Sequence, residues 1–408
     1  MAKVIIIGGG FAGLNCAKHL ANTEHDILLI DKTNHHLFQP LLYQVATAVL
    51  SPADIAVPIR DVFRNYPNVK VLMGDVKNID KTNQKVILKS KKVFSFDYLV
   101  IATGAKHSYF GKNEWEPFAG GLKTISDALN IREKILIAFE KAEREMDPKK
   151  RQKHLNFVVV GGGPTGVEMA GSIADIAYKN LIKDFRNFSS KEARIYLIEA
   201  SDQILPMFDG ELSTKARHYL AKFGVIVRTN ERVLDITKQS VTTENDSIEA
   251  DTIIWAAGNE ASPLLKTLNT ELDRQGRVLV KPDCSIKSHP NIFVIGDAAH
   301  FSINEIPLPG IAPVAIQQGK YVAKIIRKNK KIRPDFAYFD KGIMATIGKS
   351  KAIAQTGPFK LTGMIAWLAW SLIHLLYLIG YRTKVLVLIE WVISYIFNKK
   401  GPRLIYKV

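Results

Sequence analysis

Short apolar runs separated by glycines and a helical segment dominate the first thirty residues of the chain. The run at residues 4–7 is followed by three spaced glycines, a helix-forming segment to Leu20, and a second apolar run at residues 27–30. Continuous apolar runs of four residues bounded by turn signals are typical of buried strands. The pattern therefore predicts a strand–helix–strand unit.

The glycines of this unit have the spacing Gly8-x-Gly10-x-x-Gly13, and Asp31 ends the second apolar run. Gly8 allows a tight turn, Gly10 lets the backbone approach a pyrophosphate, and Gly13 lets the helix lie close to the strand. The N–H groups and dipole of the helix N-terminus then face the phosphates. Asp31, 18 residues after Gly13, can accept hydrogen bonds from a ribose diol. The combination predicts a dinucleotide site rather than a plain glycine turn.

The same pattern recurs 153 residues further along the chain. Residues 157–160 repeat the first strand, and residues 195–199 repeat the second strand with Glu199 as its acidic end. Residues 251–258 repeat an earlier apolar strand and glycine turn at residues 97–104. Because these landmarks recur in the same order, we expect two similar dinucleotide-binding domains in one chain. The spaced glycines of the second copy are Gly161, Gly163 and Gly166.

The remaining segments continue the α/β order. The second copy has 33 residues between its last glycine and Glu199, against 18 in the first copy, so we expect an insertion near residues 177–191. The other predicted elements are small strands at 69–76 and 86–96, an amphipathic helix at 124–146 ended by residues 147–150, a buried strand at 290–299, and a helix from Pro313 to about Asn329.

The tail from Leu361 is strongly apolar. Residues 361–381 are long enough, at 21 residues, to span a bilayer. His374 and Gly380 interrupt this segment, so a helix that lies on the membrane surface or in a dimer is preferred to a membrane span.

Residues 385–397 form a second apolar segment with one polar face, marked by Glu390, Ser394 and Asn398. Such a helix is expected to lie in the membrane interface with basic residues beside the lipid headgroups. A pair of soluble core or dimer helices is the alternative. The basic residues of this region are Lys399, Lys400, Arg403 and Lys407.

Composition favours an anionic partner. Lys and Arg outnumber Asp and Glu by 56 to 39 in the 408 residues, which is typical of proteins that bind nucleic acid or an anionic membrane surface. Since no nucleic-acid module is recognisable, the membrane is the better candidate, and no nucleic-acid partner is predicted. The N-terminus begins with the first strand and has no signal-peptide pattern, so we expect the glycine-rich domains in the cytoplasm.

The metal-binding and thiol chemistry of the chain is limited. His35 and His36 form a pair without a third ligand at useful spacing, so a loop or capping role is preferred and no metal site is predicted. Cys16 and Cys284 are the two cysteines and are far apart, so neither a disulfide framework nor a CxxC redox pair is expected. Cys16 is interpreted as a small packing residue.

These motifs resemble those of flavoproteins with two dinucleotide-binding domains, and within that group the chain is similar to the type II NADH dehydrogenases, single-subunit NADH:quinone oxidoreductases that do not pump protons. The family often has Ala-Gln-x-Ala-x-Gln near its flavin. Here Ala312, Ala315 and Gln317 match that motif, and Pro313 replaces the first Gln. The resemblance rests on residues 36–43, 161–168, 295–299 and 309–318.

The resemblance implies an α/β fold with two Rossmann-like domains, one for FAD and one for NADH, and a C-terminal amphipathic helical tail that anchors the protein to a membrane. The expected order is 1–115 for the first part of the FAD-binding domain, 116–150 for a linking helix, 151–270 for the NADH-binding domain, 271–335 for the second part of the FAD-binding domain, and 336–408 for the membrane-associated region.

The resemblance also implies the chemistry: hydride passes from NADH to N5 of FAD, and two electrons then pass to a membrane quinone. Asp297 is expected to bond to the flavin's ribityl chain or phosphate. The implied FAD-binding residues are Gly8, Gly10, Gly13, Asp31, Lys32, Thr103, Gly104, Gly296, Asp297 and Ala312. The implied NADH-binding residues are Gly161, Gly163, Gly166, Glu199 and Gly258.

The residues after Glu199 bear on the choice of nucleotide. Ala200 and Ser201 follow it, with no adjacent arginine. A carboxylate at this position suits a free 2′-hydroxyl and repels a 2′-phosphate, so NADH is favoured over NADPH.

Glu168 and Gln317 are the catalytic candidates. Glu168 lies near the start of the second-copy helix, where a carboxylate can simply complement the helix dipole. The resemblance favours a role in positioning the nicotinamide or in handling a proton. It also implies that Gln317 and Gly310 lie at the flavin edge where quinone docks, with Gln39 and Pro40 nearby.

The implied partners are NADH, a membrane quinone, the lipid membrane and a second copy of the chain in a homodimer. The implied location is the cytoplasmic face of the cell inner membrane, as a peripheral, monotopic protein. A sulfide:quinone oxidoreductase is an alternative, but it needs cysteines near its flavin. A membrane-attached, NADH-binding flavoprotein with little turnover is the other.

Overall fold

The chain adopts an α/β fold in the computed structural model, which describes residues 1–328, 332–397, 401 and 403–405. Strands alternate with helices in two glycine-rich regions, and a small sheet and two helices follow near the C-terminus. The α-helices of the described residues are α1 Phe11–Leu20, α2 Leu42–Ala46, α3 Ile59–Val62, α4 Ile125–Arg144, α5 Pro148–Leu155, α6 Pro164–Asp175, α7 Gly210–Lys222, α8 Ala312–Lys328, α9 Gly363–Tyr377 and α10 Tyr381–Phe397.

The strands are short, with lengths of two to six residues. They are β1 Lys3–Ile7, β2 Asp26–Asp31, β3 His35–Leu37, β4 Ala56–Pro58, β5 Val69–Met73, β6 Val76–Asp80, β7 Lys85–Leu88, β8 Val93–Ser95, β9 Tyr98–Ile101, β10 Ala105–His107, β11 Ala119–Gly121, β12 Asn156–Val160, β13 Arg194–Ile198, β14 Val225–Arg228, β15 Val233–Ile236, β16 Ser240–Thr243, β17 Ser247–Glu249, β18 Thr252–Trp255, β19 Asn259–Ala261, β20 Val278–Leu279, β21 Ser285–Ile286, β22 His289–Val294, β23 Ala299–His300, β24 Ser302–Ile303, β25 Ile306–Pro307, β26 Ile343–Thr346, β27 Ala352–Thr356 and β28 Phe359–Thr362.

The chain divides into two compact units. The predicted domain boundaries differ from this division, since residues 38–55 and 107–115 group with the second glycine copy and residues 259–270 and 336–341 with the first. The first unit is Met1–Leu37, Ala56–Lys106 and Asn259–Lys341, and the second is Phe38–Ile55, His107–Gly258 and Gly342–Val408.

The first unit is built on a six-stranded sheet in the order β21-β22-β9-β1-β2-β5. β1 runs parallel to both neighbours, with Ile5 opposite Leu28 on β2 and Leu99 on β9. The predicted strand at 290–299 corresponds to β22, which pairs with β9. α1 and α8 lie so close together that a Cβ on Gly319 would be 2.3 Å from the carbonyl oxygen of Ala12.

The second unit repeats this plan in a five-stranded sheet with the order β11-β18-β12-β13-β14. β12 runs parallel to both neighbours, with Val158 opposite Tyr196 on β13 and Ile253 on β18. The order β18-β12-β13-β14 matches β9-β1-β2-β5 of the first unit. The two sheets confirm the predicted pair of Rossmann-like regions in an α/β fold.

Two segments differ from their predicted limits. The helix predicted at 124–146 is α4, and the residues expected only to end it also begin α5, because Asp147 accepts a hydrogen bond from the Lys149 N–H at 2.9 Å and Pro148 occupies the first turn. The expected insertion contains a π-helical turn at Ile176–Asn180 and a 3₁₀ turn at Ser190–Glu192.

The single helix predicted at residues 361–381 is wrong. Leu361 lies in β28, α9 ends at Tyr377, and α10 begins after Gly380, whose φ of +87° breaks the helix. At 15 residues, α9 is about 22 Å long. Of the helices in the described parts of the chain, none combines the length and the apolar character needed to cross a membrane. The predicted helix end at Asn329 and the polar and basic tail residues Asn398, Lys399, Lys400 and Lys407 lie outside the described residues.

A close backbone contact holds α6 against the turn after β26. A Cβ on Gly171 would lie 2.8 Å from the backbone nitrogen of Gly348, so Gly171→Ala must displace one of these two elements. We expect a loss of about 1–3 kcal/mol in the free energy of unfolding, although helix propensity alone favours alanine by about 1 kcal/mol. Chemical denaturation measures the change.

The matched control is Gly120→Ala in β11, where a Cβ meets no atom within 4 Å and stability should be retained. Wild-type stability in Gly171→Ala would contradict the close approach of α6 to the turn.

Candidate functional site

The first glycine copy forms a turn that excludes side chains. Gly8 has a φ of +105°, and a Cβ there would lie 2.2 Å from the carbonyl oxygen of Ala102. A Cβ on Gly13 would lie 1.9 Å from the carbonyl oxygen of Gly8. Gly10, which immediately precedes α1, has no atom within 4 Å of its Cβ position. The backbone is therefore packed on one side and open at Gly10, as a phosphate-binding turn requires.

The second copy has nearly the same geometry. Gly161 has a φ of +110°, and its Cβ position lies 2.6 Å from the carbonyl carbon of Ala256. A Cβ on Gly166 would lie 1.9 Å from the carbonyl oxygen of Gly161, while Gly163 is open. The two predicted sites thus share one construction, each at the N-terminus of a helix.

The two acidic residues are held in the same way. Asp31 accepts from the backbone N–H of Gly9 at 2.6 Å, and from the N–H and hydroxyl of Thr33 at 2.7 and 2.8 Å. Glu199 accepts from Gly162 N–H at 2.6 Å. It also accepts from the N–H and hydroxyl of Ser201, at 2.8 and 2.7 Å. These donors fix each carboxylate at its strand end beside the glycine turn.

Sequence reasoning missed the roles of Gly9 and Gly162, which lie between the first two spaced glycines of each motif. It also missed the hydroxyl residue two positions after each acid. The signal was present, since Asp31-x-Thr33 and Glu199-x-Ser201 share one spacing. Lys32, between them in the first copy, is exposed.

Thr103 and Gly104 follow β9 at the carboxyl edge of the first sheet. Within the described parts of the chain, the buried hydroxyl of Thr103 has no hydrogen-bond partner. Gly104 has a φ of +65° and open space at its Cβ position. An unpaired buried hydroxyl is costly, so this edge suits a polar ligand that lies against the backbone.

The Gly296-Asp297 turn lies beside the start of α8 in the same unit. The backbone N–H of Gly296 donates to Gln318 Oε1 at 2.7 Å. A Cβ on Gly310 would lie 3.3 Å from the Asp297 carboxyl carbon, and Ala312 begins α8. Gln318 is 1% exposed and was missed, although helical spacing puts it on the buried face of α8.

Gln317, the predicted quinone residue, has both ends of its amide engaged. Its Nε2 donates to the carbonyl oxygen of Phe339 at 2.9 Å, and its Oε1 accepts from Phe339 N–H at 3.0 Å. The side chain therefore fixes the backbone at Phe339.

The second unit contains the other predicted residues. Gln39 is exposed and donates through Nε2 to the carbonyl oxygen of Lys123 at 3.0 Å, and Pro40 follows it in a 3₁₀ turn. Gly258 lies against Phe110, whose ring is 2.6 Å from the glycine's Cβ position.

Glu168 is the buried acid of the second unit. The Thr346 backbone N–H donates to its Oε1 at 3.5 Å, and the Thr346 hydroxyl also bonds to the carboxyl. Burial raises the pKa of Glu168 to about 8, although the bonds from Thr346 oppose the rise. Tyr43 OH lies 3.0 Å from Thr346 Oγ1, and burial together with the Glu168 charge raises the pKa of Tyr43. Sequence reasoning missed both Tyr43 and Thr346.

The histidine pair belongs to β3, not to the expected loop. His36 Nδ1 lies 2.8 Å from the carbonyl oxygen of Gly9, and its ring contacts Phe11 edge-on at 5.1 Å. Burial lowers the pKa of His36 to about 4, so the ring is neutral. In the described residues, no three His, Cys, Asp or Glu side chains are grouped to hold a metal ion. Cys16 and Cys284 are buried, and burial raises the pKa of both thiols.

Comparison with known proteins agrees with this construction. A sequence profile of the pyridine nucleotide-disulphide oxidoreductase family matches residues 2–319, and one of the NDH2 C-terminal domain matches residues 341–400. The chain is 44% identical to the type II NADH:quinone oxidoreductase Ndh of Mycobacterium tuberculosis, over 98% of this chain and 89% of that protein.

Solved structures share the fold. The structure of NDH2 from Plasmodium falciparum in complex with NADH matches with a TM-score of 0.89 and 22% identity, over 99% of both chains. The sulfide:quinone oxidoreductase of Aquifex aeolicus matches with a TM-score of 0.76 and 18% identity, over 98% of this chain and 96% of that one.

The two glycine copies and the matched profile define the class: the chain is one of the pyridine nucleotide-disulphide oxidoreductases. Within this class it belongs to the type II NADH:quinone oxidoreductases, because the identity to that family extends over nearly the full length and its C-terminal domain is present. The predicted family is confirmed. The likeness to a sulfide:quinone oxidoreductase, at 18% identity, concerns the fold alone.

The elevated pKa of Glu168 predicts a pH dependence of stability. The carboxyl changes from an ordinary pKa of 4.5 to about 8 on folding, so the folded state binds the extra proton between these values. Its contribution is fully present below about pH 4.5 and is lost as the pH rises through about 8. Glu168→Gln cannot titrate, so the wild type should lose stability relative to this variant as the pH rises over that range. Denaturant titrations at several pH values measure the difference.

The control is Glu24→Gln at an exposed position, which should leave the pH slope unchanged. A slope of the opposite sign for the wild type relative to Glu168→Gln would contradict a protonated, buried Glu168.

Proposed function

We propose that this chain is an FAD-dependent NADH:quinone oxidoreductase that does not pump protons. The main support is the duplicated glycine turn with a carboxylate that backbone N–H groups hold in place. Each copy offers an open helix N-terminus for a pyrophosphate and a fixed carboxylate for a ribose. One chain with two such sites can hold a flavin nucleotide and a nicotinamide nucleotide together.

The first unit would hold FAD. Gly8, Gly10 and Gly13 would face the pyrophosphate, and Asp31 would accept hydrogen bonds from the ribose. The unpaired hydroxyl of Thr103 fits a polar group of the cofactor. The other residues of this site are Lys32, Gly104, Gly296, Asp297 and Ala312. When bound, the flavin supplies the chemistry, accepting hydride at N5 from NADH and passing two electrons to a membrane quinone.

The second unit would hold NADH. Gly161, Gly163 and Gly166 would face its pyrophosphate, with Gly258 at the adjoining strand end. The Glu199 carboxylate is held in place by Gly162 and Ser201, so it would accept hydrogen bonds from a 2′-hydroxyl and repel a 2′-phosphate.

Glu168 would hold a proton close to the nicotinamide. With a pKa of about 8, its carboxyl is mostly protonated near neutral pH and can give up its proton without a large barrier. This supports a role in positioning the nicotinamide or in proton transfer to the quinone.

In the first unit, Gly310 and Gln317 would contribute to quinone binding. The amide of Gln317 is bound to the Phe339 backbone at both ends. We therefore propose that Gln317 shapes the site by fixing the backbone at Phe339, and that it does not offer a free amide to the quinone.

Anaerobic mixing of flavin-loaded protein with NADH, and then with a short-chain quinone, tests the function. We expect NADH to bleach the flavin absorbance at lower concentration than NADPH, and quinone to restore it rapidly. Glu199→Gln should narrow the difference between the two nucleotides, because the repulsion of a 2′-phosphate falls with the charge. The exposed Glu24→Gln serves as the control.

Bleaching without recovery on quinone would indicate another electron acceptor or an NADH-binding flavoprotein with little turnover. Absence of bleaching by either nucleotide would overturn the dehydrogenase assignment.

We further propose that the protein is a peripheral membrane enzyme attached through α9 and α10. Their outer faces carry exposed apolar side chains at helical spacing, and Arg382 is exposed in the first turn of α10, where it can reach lipid headgroups. Because NADH is found inside the cell, the expected side is the cytoplasmic face of the inner membrane. These exposed apolar residues include Ile365, Leu368, Leu372 and Leu376 on α9 and Leu388, Ile389, Val392 and Ile396 on α10.

The double variant Leu368→Asp, Leu372→Asp tests the attachment. These side chains are 57% and 60% exposed, so the fold should tolerate the charges, while partition into a lipid interface becomes unfavourable. We expect co-flotation with anionic lipid vesicles to fall by at least about tenfold, since two leucines contribute several kcal/mol of burial. Ile306→Asp, at a 71% exposed position in β25, is the control.

Unchanged flotation with a loss of the dimer would instead identify the apolar face as the interface of the proposed homodimer, and would contradict membrane attachment through α9.

A further inference from the structure

A chain of buried hydrogen bonds runs from the C-terminal helix α10 to Glu168. Nε1 of Trp391 lies 2.7 Å from Gln44 Oε1, and Nε2 of Gln44 lies 3.0 Å from Tyr43 OH. Tyr43 OH lies 3.0 Å from Thr346 Oγ1, and Thr346 in turn bonds to the Glu168 carboxyl. The four side chains before Glu168 are at most 8% exposed. None of these four side chains takes part in the glycine turns or in the hydrogen bonds that hold Asp31 and Glu199.

The indole N–H fixes the direction of the first two of these hydrogen bonds. An indole N–H is a donor without acceptor capacity, so Trp391 obliges the carbonyl oxygen of Gln44 to face it. The amide group of Gln44 must then donate to Tyr43 OH. Tyr43 has a single hydroxyl proton, and either Tyr43 or Thr346 can be the donor in the bond between their hydroxyl oxygens.

The charge state of Glu168 decides what Thr346 does. An ionised Glu168 carboxylate can only accept, so with Glu168 ionised the Thr346 hydroxyl donates to it, and the Thr346 oxygen then accepts the proton of Tyr43. The Thr346 backbone N–H donates to the same carboxyl. Two donors facing one carboxyl stabilise its ionised form against the burial that disfavours it.

We propose that Trp391, Gln44 and Tyr43 are positioning residues for Glu168. They orient the Thr346 hydroxyl as a donor to the Glu168 carboxyl, and so they couple the protonation of Glu168 to the position of α10. The proposal rests on the proposed function only in giving Glu168 a role in proton transfer or nicotinamide positioning.

The surroundings of Glu168 make such coupling measurable. Among the described residues, burial and the bonds from Thr346 set its pKa, and no charged side chain contributes. The nearby charged groups have other partners: Asp175 accepts from Lys179 Nζ at 2.7 Å and from the Lys349 backbone N–H at 2.9 Å, and Lys349 Nζ donates to the carbonyl oxygen of Tyr395 at 2.9 Å. A change in the titration of Glu168 therefore reports the Thr346 bond.

The test is an infrared pH titration of the full-length, flavin-loaded protein. The band of the protonated Glu168 carboxyl is identified by its loss in Glu168→Gln, and its midpoint is followed between about pH 5 and pH 10. Trp391→Phe keeps an aromatic ring but removes the N–H, Tyr43→Phe removes the central hydroxyl, and Thr346→Val removes the last donor. We expect each to raise the midpoint by about 0.5 to 1 pH unit.

Two controls separate orientation from packing. Trp370→Phe alters the neighbouring ring, whose centroid is 5.5 Å from that of Trp391, and it leaves every hydrogen bond between Trp391 and Glu168 in place. The titration midpoint of Glu168 should therefore stay within about 0.2 pH unit of the wild type. Thr346→Ser keeps the hydroxyl and should restore the wild-type midpoint. A purely structural role for Trp391 would instead give equal shifts in Trp391→Phe and Trp370→Phe.

An unshifted midpoint in both Trp391→Phe and Tyr43→Phe would overturn the proposal, as would the lack of a titrating Glu168 band over this range. Quinone reduction is measured in parallel with the titration. Full activity in Glu168→Gln would show that Glu168 has no role in the proposed function. The infrared midpoints would still decide whether Trp391, Gln44 and Tyr43 orient Thr346.

Discussion

Close backbone approach at the third glycine of each motif is the constraint on which the rest of the structure depends. A Cβ on Gly13 or Gly166 would lie 1.9 Å from the carbonyl oxygen of the first glycine, so α1 and α6 can begin where they do only without a side chain. Glu168 follows two residues after Gly166. Gly171 lies further along α6, and its lack of a side chain leaves room for the loop after β26. This close packing brings Thr346 to the Glu168 carboxyl. One helix thus serves both a nucleotide turn and a buried acid.

The parts of the fold and site that the sequence predicted are those set by local rules. A glycine with positive φ and an acid at a strand end leave a signal within about forty residues, and both copies of the turn follow from it. The hydrogen bonds that hold Asp31 and Glu199 also lie within one motif. These hydrogen bonds were missed because Gly9 and Gly162 occupy a position where the Gly-x-Gly motif accepts any residue.

The other errors have longer-range causes. The apolar run at 361–381 predicts one helix because hydrophobicity does not indicate where the backbone turns. β28 pairs with β27, and Gly380 adopts a positive φ. Tyr43 and Thr346 are 303 positions apart, and Gln44 and Trp391 are 347 apart. No periodicity within a segment encodes such pairs, so only the folded chain shows that α2, β26 and α10 meet at one place.

The bond between Trp391 and Gln44 also explains how an apolar helix keeps a single orientation. Hydrophobic contact is non-directional, and α10 has apolar side chains on its outer face as well as at the buried Val387. A shift of one helical turn would put Val387 or Tyr395 opposite Gln44 and leave its buried amide without the indole donor, at a cost of about 1–3 kcal/mol. A single polar pair in an apolar contact fixes register in this way in coiled coils. In this chain the same bond determines which face of α10 is exposed and whether the hydrogen bonds to Glu168 are complete.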